Sequence, residues 1–483
     1  MRMFIIPLLL FSTTVSSQSS FDFSDSAIVY RIRHDIYVLA SDSFKGREAG
    51  TEGEHKAYTY IIRELKKVGV KPWKDSSYLQ PFKHNYERFI KPTRLICGTR
   101  PFNLVTDFGV TTFSGHDSVT ALTADAGYGL IIPESGINDY SGLNDLQDKI
   151  VIIDLDCPIS LKNNTGIQGG LTPATRIANA VLKGAAGVLL YNSPDEQRKM
   201  LFDFTKTDTF TIPVIYITRE VQDYLSRHRE EPVTIGAGVE RYSQTYTNIT
   251  AYIDNHASHT IIMGAHYDHL GKSDKPKDKG AYCVGADDNA SGTAGILELA
   301  RYYSQNKDPN NNYILIFFSA EEKGLYGSIY FAKHLRPSLK DSINFMLNFD
   351  MIGRLGCEGL QVTAEATGSS SSWSKLYREV KHPGFHLKKV SASLPFSDQD
   401  AFYRKGIPVL YLNTGLHPQY HTPADRPETI NYTGMAGILS YSEKLVSKAG
   451  SGDKVPYRKV PAISEYLEVF GFVLGYIGEM LSF

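Results

Sequence analysis

Short apolar runs separated by polar breaks dominate the second half of the chain. Residues 260–264, 313–318, 343–349 and 407–412 are rich in β-branched and aromatic side chains, and each run is followed by glycine, asparagine or a charged residue. Runs this continuously apolar predict strands buried on both faces, and the helix predicted over 292–303 turns the first two into a βαβ unit. Nearer the N-terminus, Ala57, Tyr60, Ile61, Leu65 and Val68 share one helical stripe over 51–68, with Gly69 as a stop. Residues 100–235 have a different texture: strands are predicted over 149–155, 187–191 and 212–217, with a helix over 174–183 ending at Gly184. A structureless loop of that length is uncommon inside a compact domain, so the pattern predicts an inserted module with its own core.

The fold class that follows is α/β: a mixed sheet sandwiched between helices, with chemistry expected at the carboxyl ends of its strands, and a smaller β-rich insert. The 483 residues, 42% of them apolar, fit a folded chain of about three modules at roughly 150 residues each. Lys plus Arg total 51 against 52 for Asp plus Glu, so no global charge draws the chain to nucleic acid or an anionic membrane. Met1–Met3 is a short basic start, 4–11 is apolar, and Val15 and Ser17 are small. This predicts a signal peptide over 1–17 and export to the periplasm or beyond. Cys97, Cys157, Cys283 and Cys357 lie too far apart for a zinc ribbon and too sparsely for a disulfide scaffold. Export permits disulfides and buried free thiols fit equally well, so the pairing stays open. The tail over 462–483 is apolar but interrupted by Glu465, Glu468 and Glu479 and has no basic flank. It is expected to be a helical extension packed on this domain or a second subunit, not a transmembrane anchor.

Candidate chemistry gathers where the strands end. His266 and Asp268 follow the first run, and an imidazole that binds a metal through one nitrogen commonly donates from the other to a carboxylate. Asp287 and Asp288 sit within 285–292, where flanking glycines imply a backbone forced close to something; capping the following helix explains one acid better than two. Glu321 and Glu322 follow the second run, and adjacent carboxylates at the end of an apolar strand call for a neutralising cation. Asp350 ends the third, and Tyr420 and His421 lie beyond the fourth. Mixed imidazole and carboxylate donors suit zinc, and two ions sharing a carboxylate could activate a water between them.

These residues carry a resemblance to the co-catalytic dinuclear zinc aminopeptidase family, which includes bacterial leucyl aminopeptidases and aminopeptidase Y. The landmarks are His266 with Asp268, the segment 285–292, Glu321 with Glu322, Asp350 with Met351 and Gly353, the stretch 396–408, and 420–425. The resemblance spans roughly 246–445, takes in the helix over 51–68, and likens the intervening segment to a protease-associated domain. With the signal peptide at 1–17 and the tail, the expected division is peptidase-domain parts at 18–99 and 241–450, the insert at 100–240 and an extension at 451–483.

By that resemblance two Zn2+ ions are expected, one held by His266 and Asp350, the other by Glu322 and His421, with Asp287 bridging. Glu321 is the implied general base, Asp268 orients His266, and Tyr420 donates to the oxyanion. The bond joining Asp287 and Asp288 is the implied cis peptide. His269 is expected outside the ligand set because His266 fills that place; His382, His386 and His417 receive no role, and Cys283 is not needed as a ligand. Asp398 or Asp400 serves either as a helix cap or beside the metals. Peptides are the implied substrates, with no nucleic acid; a protein partner would meet the insert or the C-terminal helix. The alternatives are a glutaminyl cyclase-like acyl transferase, whose single-zinc pattern lacks the early His, and a noncatalytic peptidase-like ectodomain, which has lost its ligands. The residue type favoured by the side-chain pocket stays open.

Overall fold

The chain forms two units, one of residues 1–84 with 244–483 and one of 85–243. The computed structural model describes residues 26–461 except 75, 90–92, 112, 116, 144, 157–160, 162–169, 193–209, 238, 358 and 382–383. The expected signal peptide, Cys157, His382 and most of the C-terminal extension therefore lie outside the described residues.

The first unit is built on a nine-stranded sheet. Its strands are β1 (Lys71–Pro72), β2 (Leu79–Phe89), β3 (Val239–Ile253), β4 (His259–His266), β5 (Asn311–Phe318), β6 (Ile343–Phe349), β7 (Gln361–Glu365), β8 (His386–Lys389) and β9 (Val409–Asn413). The order is β1-β3-β5-β4-β6-β9-β7-β8, with β2 beside β3. The central strands β5, β4, β6 and β9 run parallel, so their carboxyl ends open on one edge. Side chains alternate between two cores as the strand period requires. Tyr313, Leu315 and Phe317 of β5 join Ile261, Met263 and Ala265 of β4 on one face; Ile314, Ile316 and Phe318 join Ile262 on the other.

The first face is covered by helices α1 (Ser26–Leu39), α2 (Glu52–Lys67), α3 (Gly292–Gln305) and α4 (Tyr432–Gly450). The side chain of Thr51 accepts from Gly53 N and so caps α2, whose buried stripe includes Ala57, Tyr60, Ile61 and Leu65, as the periodicity predicts. Helix α3 is buried over nearly its whole length. Its Arg301 meets Asp35 of α1 at 2.7 Å and Glu298 at 3.0 Å, which keeps these buried charges paired.

The second unit has a five-stranded sheet whose strands Thr123–Asp125, Ile150–Asp154, Gly187–Tyr191 and Val214–Ile217 are parallel, with Phe108–Val110 antiparallel at one edge. A four-stranded sheet includes Arg94–Cys97, Asp117–Ala121 and Val233–Ala237. Ile150, Ile152, Leu189 and Ile215 face a core shared with Leu95 and Ile235, while Val151, Ile153, Val188 and Leu190 face the helix Pro173–Leu182 through Ile177 and Ala180. The unit begins before residue 100 because Arg94–Cys97 pairs with Val233–Ala237. Cys97 and Cys283 are buried and Cys357 exposed, all as free thiols. No helix among the described residues is long and apolar enough to cross a membrane.

Candidate metal centre

The carboxyl edge of the parallel strands brings the chemistry together. His266 is the last residue of β4, Glu321 and Glu322 follow β5, Asp350 follows β6, and Tyr420 and His421 lie beyond β9. Backbone conformation aims several of them: Ala320 (φ 56), Met351 (φ 61) and His421 (φ 54) are left-handed, a state that costs a non-glycine residue about 1–2 kcal/mol and is held only by its surroundings.

Two groups of donors form, each with its ligand atoms within 4.8 Å of one another: His266, Asp288 and Asp350, and His269, Asp288, Glu322 and His421. In the first, His266 Nε2 lies 3.3 Å from Asp350 Oδ1 and 3.3 Å from Asp288 Oδ1. In the second, His421 Nε2 lies 3.0 Å from Asp288 Oδ2 and 3.2 Å from Glu322 Oε2, and His269 Nδ1 is 2.7 Å from Glu322 Oε1. The arrangement fits two divalent cations. Buried carboxylates converge with imidazoles, one carboxylate belongs to both groups, and the buried Nε2 of His421 makes no hydrogen bond of acceptable geometry although two oxygens are close.

The geometry departs from four sequence expectations here. The shared carboxylate is Asp288, not Asp287. Asp287 turns the other way: its Oδ1 accepts from Gly353 N at 2.7 Å and its Oδ2 is 3.4 Å from His417 Nε2. The cis peptide is accordingly one bond later, between Asp288 and Asn289. His269, expected outside the ligand set, is buried against Glu322. Finally, Asp268 approaches His266 Nδ1 more closely through its carbonyl, at 3.2 Å, than through its carboxylate, at 3.8 Å. Its Oδ1 instead accepts from Glu321 N at 3.1 Å.

The loop that carries Asp288 is clamped from several sides. Gly285 is left-handed (φ 55), and a Cβ on Gly292 would stand 2.5 Å from Phe349 O, so the close approach expected from the flanking glycines is real. Asn289 donates to Phe349 O at 2.9 Å and accepts from Met351 N at 3.2 Å. The Asp425 carboxylate accepts from the N–H groups of both Asp287 and Asp288. Burial, then the neighbouring Asp287 charge, push Asp425 up to about 6. Arg47, wholly buried, donates to the carbonyls of Leu39, Tyr267, Val284 and Gly285. Arg47 carries no signal in the local pattern, since it sits in a glycine-rich approach to α2 that reads as a loop; Asp425 closes the last family landmark.

Electrostatics distinguish the two adjacent glutamates. Burial, reinforced by Glu322 and Asp350 against the opposing pull of His266, raises Glu321 well above the usual carboxylate range. Burial also works against ionised Glu322, but His269 and His421 outweigh it together with Asp288's repulsion, and its pKa is lowered. Burial likewise opposes ionised Asp288, yet the surrounding imidazoles hold it well below its ordinary value. His421 is pushed up to about 10: burial lowers it, and the neighbouring carboxylates of Asp288 and Glu322 overcome that. Asp398 is buried and offers no side-chain cap to the helix it precedes; burial, partly offset by His266, takes it up to about 7. Tyr420 stacks on His421 with ring centroids 3.8 Å apart. It lines, with His266, Glu321 and Asp350, a cavity of about 340 Å³. His417 is buried beside Asp287, His386 lies on edge strand β8, and Cys283 belongs to neither group. Among the described residues, neither group draws a residue from the second unit.

Residues 248–446 match peptidase family M28, and residues 118–225 match the PA domain. The chain thus carries an M28 peptidase domain with a PA domain insert. Over 430 residues the chain is 25% identical to aminopeptidase YwaD of Bacillus subtilis (strain 168), covering 84% of this chain and 82% of that one. It is 31% identical over 179 residues to an aminopeptidase of Pseudomonas aeruginosa (strain UCBPP-PA14), covering 36% of this chain and 31% of the relative. Among solved structures, an aminopeptidase from Aneurinibacillus sp. strain AM-1 aligns at 23% identity with a TM-score of 0.48 over 91% of this chain and 98% of that one.

Proposed function

We propose that this chain is an exported, zinc-dependent aminopeptidase that hydrolyses the first peptide bond of its substrates. The observation that carries this reading is the division of labour between neighbouring glutamates. Glu322 turns to His269 and His421, whereas Glu321 lines the cavity with Oε2 4.0 Å from His266 Nε2. His266, Asp288 and Asp350 would hold one zinc; Asp288, Glu322 and His421, beside His269, would hold the other. When bound, the two ions would acidify a water between them and neutralise the carboxylates. Glu321, its proton affinity raised by burial, takes the water's proton at its carboxylate and delivers it to the leaving amide nitrogen. Asp268 fixes that base by accepting from Glu321 N. The Tyr420 hydroxyl donates to the carbonyl oxygen as negative charge develops there. A free α-amine is held by carboxylate capacity near Glu321 and Asp350, which explains selection of chain ends without a long cleft.

The insert acts on access or partner binding. Residues 1–17 act as the export signal. The test is Glu321→Gln. It should retain two zinc ions per chain by elemental analysis while losing about 100-fold or more of its turnover of an aminoacyl p-nitroanilide. Full turnover by metal-loaded Glu321→Gln refutes the base, and cyclisation of N-terminal glutamine without amide hydrolysis by the wild type refutes the peptidase.

A further inference from the structure

We propose that Arg354 is a positioning residue for the reaction: through Gln419 it holds the turn that presents Tyr420 and His421 to the metal centre. This rests on the aminopeptidase reading of the same site. Gln419 O accepts from Thr422 N at 3.1 Å and from Thr422 Oγ1 at 2.8 Å, which closes a four-residue turn with Tyr420 and His421 at its centre. His421 is left-handed (φ 54), and the third place of such a turn is one that glycine normally fills. A turn with histidine there persists only where its surroundings hold it.

The hold comes from the segment after β6, which also presents Asp350. Thr414 N and Oγ1 both donate to Met351 O at 2.8 Å, and Arg354 N donates to Thr414 Oγ1 at 3.2 Å. These bonds fix the root of the loop that follows β9. At the turn itself, Arg354 Nη2 donates to Gln419 Oε1 at 2.8 Å and lies 3.7 Å from Cys357 Sγ. Arg354 is buried, and among the described residues it forms no ion pair and its Nη1 meets no acceptor. A buried guanidinium in that state weakens a fold, so stability does not account for it. Its bond to Gln419 fixes the first residue of the turn and thereby the place of Tyr420 on the cavity wall. A second cation, Lys275, donates to His421 O at 3.0 Å, but it is exposed and water competes for that bond. Displacing a reacting group by about 1 Å can cost about 100-fold in rate, so the hold on this turn bears directly on turnover.

The test measures kcat and KM for an aminoacyl p-nitroanilide at saturating zinc in wild type, Arg354→Met, Gln419→Leu and Tyr420→Phe. Arg354→Met is also combined with each of the other two, and circular dichroism verifies folding. Arg354→Met should lower kcat about tenfold or more with KM within about threefold, and Gln419→Leu should reproduce it. Neither double variant should be more than about threefold slower than its slower parent, because both losses pass through one turn. Unchanged kcat in Arg354→Met, or losses that multiply in either double variant, overturn the assignment. Should Arg354→Met fail to fold, Gln419→Leu alone and with Tyr420→Phe carries the same predictions. Hydrogen exchange on the zinc-loaded proteins is the second readout: the amides of Tyr420 and Thr422 should exchange about tenfold faster in Arg354→Met and Gln419→Leu, with those of α4 unchanged. If the wild type cleaves no substrate with a free amine, the aminopeptidase reading falls by itself. Faster exchange at Tyr420 and Thr422 would then still uphold the tether, and unchanged exchange would end it.

Discussion

Exchanging one charged oxygen for an amide at position 287 or at position 288 should have consequences of very different size. Asp288 belongs to both donor groups, with Oδ1 3.3 Å from His266 Nε2 and Oδ2 3.0 Å from His421 Nε2. Asp288→Asn takes the one shared anionic donor from both groups, leaving His266 and Asp350 on one side. Catalytic zinc sites normally keep three protein ligands, so a pair of donors should fail to hold the ion. We expect affinity there to fall by at least about 1,000-fold, roughly 4 kcal/mol at 1.4 kcal/mol per tenfold change. Asp287→Asn keeps an oxygen for Gly353 N and removes a charge that faces His417, outside both groups. Residues that support ligands from behind typically change metal affinity 10–100-fold, about 1.4–2.8 kcal/mol. The assay is elemental analysis after equilibration with a zinc buffer, with circular dichroism to verify folding. Asp288→Asn should retain fewer than two ions at a free zinc level that saturates Asp287→Asn. If Asp287→Asn emptied both sites while Asp288→Asn kept two ions, the geometry argued here would be wrong.

Two further substitutions probe the frame around the centre. Arg47→Met removes the donor to four buried carbonyls, including Val284 and Gly285 at the start of the Asp288 loop; unfolding in denaturant should show a loss of about 3–5 kcal/mol, and a loss below about 1 kcal/mol would contradict the clamp. His269→Ala should weaken the zinc site on the Glu322 side about 10–100-fold in a chelator competition and leave the His266 side within about threefold; unchanged affinity on both sides would make His269 a packing residue only.

The strands that position the site were legible because burial on both faces leaves no ambiguity in pattern. Ile343–Phe349 and Gly187–Tyr191 have the bounds that the apolar runs predict. Other elements depend on distant partners. Strand β3 mixes polar residues with three scattered tyrosines, without a continuous apolar run, and pairs with β5 and β1. The strand Arg94–Cys97, with two of its four residues buried, is defined by Val233–Ala237, well over a hundred residues later. Helix α4 buries Ser442, Tyr441 and Gly450 along with its leucines, which blurs the stripe that would have announced it.

The same distinction separates the site residues that sequence located from the one it misplaced by a position. His266, Glu321, Glu322 and Asp350 each stand where an apolar run stops, so the strand end itself aims them at the carboxyl edge of the sheet. Asp287 and Asp288 lie in a loop, where adjacent side chains point in different directions and no period says which one faces inward. What decides is remote: Asp425 accepts the N–H groups of both residues, Arg47 holds the carbonyls just before them, and Gly353 N takes the Asp287 carboxylate. Once Asp287 is committed to Gly353, the only carboxylate of the pair left to meet His266 and His421 is Asp288. The three residues that enforce this choice come from three separate parts of the chain, so a reading of the loop alone could find that an aspartate belongs there without finding which.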